Sequence, residues 1–268
     1  MSTITATGAT LAYGSTVAVA DATFTIPHGK LTSIIGPNGS GKSTILNGIC
    51  GLATLKAGSI EIDGGPTSAR LGSIAYVLQA TRMNEAIPVT VSEVIAMARY
   101  GRLGRFGRLR SADRRVCREA ADGMNVLSLA DKHIRELSGG QRQRVFVAQG
   151  LAQEADVLML DEPTNSLDIV SRQLIDDALD KEIHAGRTVA LTTHDLAVAK
   201  MADHVILMSG TVVAEGVPAA VLDRDILAQA YGIALVHLDE RGVVVDDHGH
   251  TERDRHIHFD RTGHATHD

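Results

Sequence analysis

Three observations in the sequence predict an α/β fold with a mostly parallel sheet, an N-terminal antiparallel β subdomain and an inserted helical subdomain. The first thirty residues alternate apolar and polar, as in ATFTI from Ala22 to Ile26, with punctuation at Gly14 and at Pro27 to Gly29. Period two between turn residues is the pattern of short antiparallel strands. Later, the apolar runs Val157 to Leu160, Thr188 to Thr192 and Val205 to Met208 alternate with helical stretches. That order implies parallel strands with a ligand site beyond their carboxyl ends. Between the two patterns, Val91 to Leu129 reads as mainly helical with arginine-rich interruptions, so a helical subdomain of about residues 89–140 is expected as an insertion.

Within this frame, Leu31 to Ile35 is a compact apolar strand, and GPNGSGKST (Gly36 to Thr44) turns it into a helix in which Ile45, Leu46 and Ile49 recur at helical spacing. VILMSGTVVAEG, from Val205 to Gly216, reads as a hairpin turning at Ser209 and Gly210. The main domain is expected to span residues 1–236. From about His237 the chain is polar, acidic and histidine-rich, and residues 237–268 are expected to be a mobile tail.

Composition removes several function classes. A hydrophobic content of 44% over 268 residues is ample for a packed core. The net charge of −6 gives no global electrostatic reason to bind nucleic acid. Cys50 and Cys117 match no metal-ligand or CxxC spacing, and cytosolic thiols are the simple expectation. The N-terminus lacks a basic stretch followed by an apolar one, and no run reaches the roughly 18 apolar residues of a spanning helix. The chain is therefore expected to be neither exported nor inserted in a membrane by itself. One stretch runs against the average charge: Arg99 to Arg118 holds eight arginines and a single acid, Asp113. Such runs are usually solvated faces; the sharper alternative is a surface facing lipid head groups or a membrane-bound partner.

Chemistry enters with Gly36 to Thr44, which satisfies GxxxxGK[ST] after a strand and before a helix. Gly36, Gly39 and Gly41 let backbone N–H groups and the positive helix end face phosphate oxygens. Lys42 supplies a point charge to the β and γ phosphates, and the Ser43 hydroxyl can ligate Mg²⁺. Pro37, Asn38, Ser40 and Thr44 complete the expected nucleotide loop, so the core is expected to be a P-loop NTPase. A loop of this kind says only that a nucleoside triphosphate binds. Asp161 and Glu162 end the apolar strand Val157 to Leu160, where Asp161 can hold Mg²⁺ through a water and Glu162 can orient or deprotonate the attacking water. Paired acids after a strand also occur as plain helix N-termini.

The sequence narrows further at Leu137 to Gln141, LSGGQ, followed directly by RQRVFVAQGLAQ. Ser138 offers a hydroxyl, Gly139 and Gly140 allow close backbone approach, and a helix starting there points its N-terminus outward. LSGGQ upstream of a strand ending in Asp-Glu resembles the ATP-binding-cassette (ABC) ATPases. The resemblance extends over residues 1 to about 235. It implies an ATP-hydrolysing subunit with ATP and Mg²⁺ as ligands, in which Ser138, Gly139, Gly140 and Gln141 clamp ATP held by the P-loop of a second copy. Tyr13 in LAYG resembles the aromatic on which the family stacks adenine; on its own it is an ordinary strand tyrosine. Gln79 in YVLQ resembles the glutamine that contacts Mg²⁺ and the attacking water. Ser166-Leu167-Asp168 resembles the loop in which Asp168 would join the two sites, though Asp168 alone reads as a helix N-cap. His194 resembles the switch histidine that touches the γ-phosphate, while a lone histidine at a strand end is more often structural.

The stretch from Ile87 to Arg115 resembles the ATPases of bacterial zinc, manganese and iron-chelate importers. The resemblance thus implies import of zinc or manganese through separate integral membrane permease subunits, with an extracytoplasmic solute-binding protein as a further partner and this chain on the cytoplasmic face of the membrane. A siderophore or haem importer ATPase is the alternative, with an exporter or a soluble cassette ATPase further off. Seven of the twelve histidines lie in residues 237–268. Among them His248, His250, His256 and His258, interleaved with aspartates, suit Zn²⁺; a solubilising tail is the equal alternative.

Overall fold

The structure is a computed structural model that describes residues 2–78, 88–103, 107–165 and 167–232, and the backbone of 236–239 and 242–245. Two sheets share one helix. The first is antiparallel: β1 (Ile4–Tyr13) and β2 (Thr16–Ile26) form a hairpin, and β4 (Thr54–Ile62) pairs on the other side of β1 and carries the two-residue β5 (Gly65–Pro66). Alternation along β1 and β2 sends Ile4, Leu11, Phe24 and Ile26 inward, where all are buried. The second sheet has the order β10-β9-β3-β8-β7-β6. Its strands are β3 (Leu31–Ile35), β6 (Ile74–Val77), β7 (Val157–Asp161), β8 (Thr188–Thr193), β9 (His204–Met208) and β10 (Val212–Gly216). All neighbours are parallel except the β9–β10 hairpin.

Every residue of β7 and β8 is buried, as expected of central parallel strands covered on both faces. On one face α1 (Lys42–Ile49) lies between the sheets, its Ile45, Leu46 and Ile49 sharing a core with Leu11 and Phe24 of the first sheet and Met159 and Ile206 of the second. On the other face a second core joins the sheet to α2 (Val91–Leu103), α3 (Ser111–Gly123), α4 (Gly139–Ala152) and α5 (Ile169–His184). A third core, under β9, holds α6 (Leu196–Met201), α7 (Pro218–Val221) and α8 (Arg224–Tyr231). Beyond α8, the backbone of β11 (Val236–Asp239) pairs antiparallel with that of β12 (Gly242–Val245).

The helical lobe is stitched at its base by Val91 N–H donating to Lys132 O (3.0 Å) and Ile134 N–H to Val89 O (3.0 Å). Its arginine run does not form one solvated face. Arg99 is 6% exposed; it donates to Asp113 Oδ1 (3.0 Å), Glu154 Oε2 (2.7 Å) and Ala152 O (2.9 Å). A buried guanidinium is tolerated when its donors are matched in this way, and here it ties α2, α3 and the end of α4 together. Arg114 and Arg118, in contrast, are exposed.

Candidate functional site

At the carboxyl end of β3 the chain turns sharply through Gly36, whose φ is 151°. A Cβ there would lie 2.3 Å from Met208 O and 2.7 Å from Ser40 Oγ, so the turn requires glycine. Gly41, at φ 99°, caps α1 in the left-handed region, and a Cβ on it would lie 2.5 Å from Val19 Cγ2. The loop between them is pinned by Ser40 N–H to Pro37 O (3.1 Å) and Gly210 N–H to Ser40 O (2.9 Å). Lys42 is buried and curls over the loop, its Nζ donating to Gly36 O (2.7 Å) and Pro37 O (3.1 Å). Asn38 and Gly39 are exposed at the loop tip, while Thr44 is buried in the helix. A cation and the N-terminus of α1 therefore converge on one concave backbone, the arrangement that receives phosphate.

The register of the sheet brings the acids to the same end. Asp161 on β7 pairs with Thr192 on β8, and Thr193 pairs with Ile35 on β3. Strands lie about 4.8 Å apart, so Gly36, His194 and Glu162 each leave the sheet from neighbouring strands at one level. Asp161 is 1% exposed. Its Oδ1 accepts from Ser43 Oγ (2.8 Å) and from Thr192 Oγ1 (2.7 Å). A serine hydroxyl joined to a carboxylate is an all-oxygen donor pair of the kind that holds Mg²⁺, so the residues present fit that ion. Glu162 stands at φ 48°, uncommon for a residue with a Cβ. Its N–H donates to Thr192 Oγ1 (2.9 Å) and its Oε2 accepts from Asn165 Nδ2 (2.9 Å). His194 is exposed one residue beyond β8.

Tyr13 ends β1 with 46% of its surface exposed, and Asn47 Nδ2 on α1 donates to its hydroxyl (2.6 Å), so an open ring stands beside the P-loop helix. Ser138 caps α4: its Oγ accepts from Gln141 N–H (3.3 Å), and Gln141 Oε1 accepts from Ser138 N–H (3.0 Å). Gly140 is close to Asp168, where a Cβ would come within 3.3 Å of Oδ2. Asp168 in turn caps α5 by accepting from Ser171 N–H (2.8 Å) and Ser171 Oγ (2.8 Å). These bonds, the backbone one first, hold its carboxyl below the usual carboxylate range. LSGGQ and Asp168 are thus neighbours. Their helix α4, however, packs on β6, three strands from β3 in the sheet order. Gln79, Ser166, His248, His250, His256 and His258 lie outside the described residues. Among the described residues no group of three or more metal-binding side chains is gathered, and no helix is long and apolar enough to cross a membrane.

Residues 19–165, more than half of the chain, match the family model described as ABC transporter. The chain belongs to the ABC transporter family. This ABC protein is 37% identical over 230 residues to the manganese transport system ATP-binding protein MntB of Listeria innocua, covering 85% of this chain and 96% of that one. It is 38% identical over 224 residues to the zinc transport system ATP-binding protein TroB of Treponema pallidum (83% and 84% covered). Against the iron(3+)-hydroxamate import ATP-binding protein FhuC of Bacillus subtilis it is 38% identical over 232 residues (83% and 85%). Its fold is that of a solved nucleotide-free ATP-binding cassette from an ABC transporter, with a TM-score of 0.73 and 21% identity over 87% of this chain and 99% of that one. The chain is an ATP-binding subunit and an ATPase whose hydrolysis is coupled to transport.

In this ABC ATPase two polar residues at the strand ends escape motif reading. Thr192 lies in a run that reads as apolar, and its signal is a hydroxyl in a strand with no exposed position. Asn165 is one of the polar residues after Pro163, and only the turn back toward Glu162 reveals its partner. In the helical lobe, a cavity of about 380 Å³ opens between α2 and α3. It is lined by Ile95, Tyr100, Cys117 and Ala121 together with the exposed Arg114 and Arg118.

Proposed function

We propose that this ABC ATPase powers import of a transition metal, zinc or manganese, through separate membrane permease subunits at the cytoplasmic face of the membrane. The observation that carries the engine is the junction of Ser43, Asp161, Thr192 and Glu162 beside the P-loop. In this reading Lys42 and the backbone of Gly36 to Thr44 hold the β and γ phosphates of ATP, while Tyr13 stacks on the adenine. Magnesium held by Ser43, Asp161 and Gln79 would supply positive charge against the phosphate oxygens. Glu162, its carboxylate steadied by Asn165, accepts a proton from water as the water oxygen bonds to the γ-phosphorus and the bond to the ADP oxygen breaks. His194 contacts the γ-phosphate from the end of β8.

The position of α4, three strands from β3, favours a site completed by a second copy. Ser138, Gly139, Gly140 and Gln141 of one subunit would close on ATP in the other, and Asp168 would join the two sites. Residues 1–236 form the ATPase unit, with the lobe of about 89–140 meeting the permease. The apolar cavity between α2 and α3, with its two exposed arginines, supports that docking. An extracytoplasmic solute-binding protein would deliver the cargo.

The manganese and zinc relatives favour those metals. The iron(3+)-hydroxamate relative, equally similar, favours an iron chelate as the second reading. His248, His250, His256 and His258 would bind Zn²⁺ from the tail, which zinc titration of the chain with and without residues 246–268 tests. Uptake of Zn²⁺, Mn²⁺ and ferric chelates by cells carrying the complete transport system decides the cargo. Glu162→Gln should abolish uptake of zinc or of manganese. Loss of ferric-chelate uptake alone would establish the second reading, and unchanged uptake of all three with ATP hydrolysis abolished would remove the metal assignment.

A further inference from the structure

Thr192 is fully buried in β8, between Ile34 on β3 and Asp161 on β7. A hydroxyl in such a place is costly unless it is bonded, and this one is bonded on both sides. It accepts from the Glu162 N–H (2.9 Å) and donates to Asp161 Oδ1 (2.7 Å). One oxygen therefore ties the backbone of the first acid's neighbour to the side chain of the other, and both to the strand that delivers His194 two residues later. The bond to Asp161 Oδ1 is shared with Ser43 Oγ (2.8 Å), so Thr192 sets which way the carboxylate faces the P-loop hydroxyl. The bond from Glu162 N–H holds a residue whose φ of 48° has no glycine to ease it.

We infer that Thr192 is a positioning residue for ATP hydrolysis: its hydroxyl aims Asp161 at Ser43 and fixes the turn that presents Glu162. The inference rests on the roles proposed above for Asp161 and Glu162. Valine has nearly the same shape but leaves the Glu162 N–H without this acceptor and Asp161 without this donor. Serine keeps both bonds and loses only a methyl group.

The test compares Thr192→Val and Thr192→Ser in steady-state ATP hydrolysis, in the Mg²⁺ concentration giving half-maximal rate, and in amide hydrogen exchange of the segment containing Glu162. Thr192→Val should lower kcat by about 10-fold to 100-fold, the usual effect of removing a group that orients a ligand, with KM for ATP within about twofold. It should also raise the Mg²⁺ requirement and speed exchange at the Glu162 amide without ATP present. Thr192→Ser should return all three to near wild type. If Thr192→Val does not fold, Thr192→Ala is read against Thr192→Ser in the same way. Wild-type kcat, Mg²⁺ requirement and exchange in the hydroxyl-free variant would overturn the inference, as would a serine variant impaired as badly as valine. Failure of the underlying reading shows separately, as normal turnover in Glu162→Gln.

Discussion

The carboxyl end of the parallel sheet and the helical lobe are both held by buried polar groups, but they are built to different ends. At the sheet end, short bonds among Ser43, Asp161, Thr192 and Glu162 lock a few atoms into one geometry, with non-ideal backbone at Gly36 and Glu162. In the lobe, Arg99, Asp113 and Glu154 lock whole helices to one another, while Arg114 and Arg118 stay open to solvent. Fixing atoms serves chemistry, where small displacements are costly. Fixing helices makes a stiff lobe.

The largest effect should come from the sheet end. Glu162→Gln is expected to lower ATP turnover at least about 100-fold, as loss of a general base does. The double change Arg114→Ala and Arg118→Ala should leave turnover of the isolated subunit within about twofold, since neither residue touches the site. Equal losses in phosphate release would erase the distinction between the regions. Next in size, Arg99→Leu should lower the melting temperature by about 5 °C or more, because it leaves matched groups stranded in the lobe. Arg115→Ala, which breaks the exposed pair with Glu119, should change it by only about 1 °C.

A smaller effect appears in acid. The Arg110 backbone N–H, then the Arg99 side chain, hold the Asp113 carboxyl below its ordinary range, as Ser171 does for Asp168. Both acids therefore add stability that is fully present above about pH 4 and lost as pH falls through their lower folded values. The melting temperature should therefore fall as pH is lowered from about 5 to about 2, and Asp113→Asn or Asp168→Asn should each reduce that fall. The smallest effect is a null one: burial pushes the Cys50 thiol at the end of α1 up to about 12. Iodoacetamide at pH 8 should leave Cys50 unmodified in the folded chain and modify it after unfolding. Rapid alkylation of Cys50 in the native protein would show that the P-loop helix opens.

How much of this could be read in advance follows the same division. The phosphate loop, the Asp161–Glu162 pair and the helix start at Ser138 are local patterns, each decided within a few residues of chain, and the structure brings the first two together at the end of the parallel strands. The hairpins and the parallel core were legible because burial there follows simple periods. β4 was not, because the first five of its residues are exposed and carry no alternation. Nor was the burial of Arg99, whose partners lie 14 and 55 residues away in the chain. A charge run reveals its sign, whereas which member turns inward depends on those distant acids. Thr192 was hidden for a related reason, since a β-branched residue fits a buried strand whether or not its hydroxyl is used.

Completion of the ATP site by a second copy is tested by measuring the mass in solution of the Glu162→Gln protein with and without ATP. Saturating ATP should convert monomer to a dimer retaining two nucleotides, and adding Lys42→Ala or replacing Ser138 should abolish the dimer. A protein that binds ATP fully yet stays monomeric, with LSGGQ substitutions leaving hydrolysis unchanged, would contradict it.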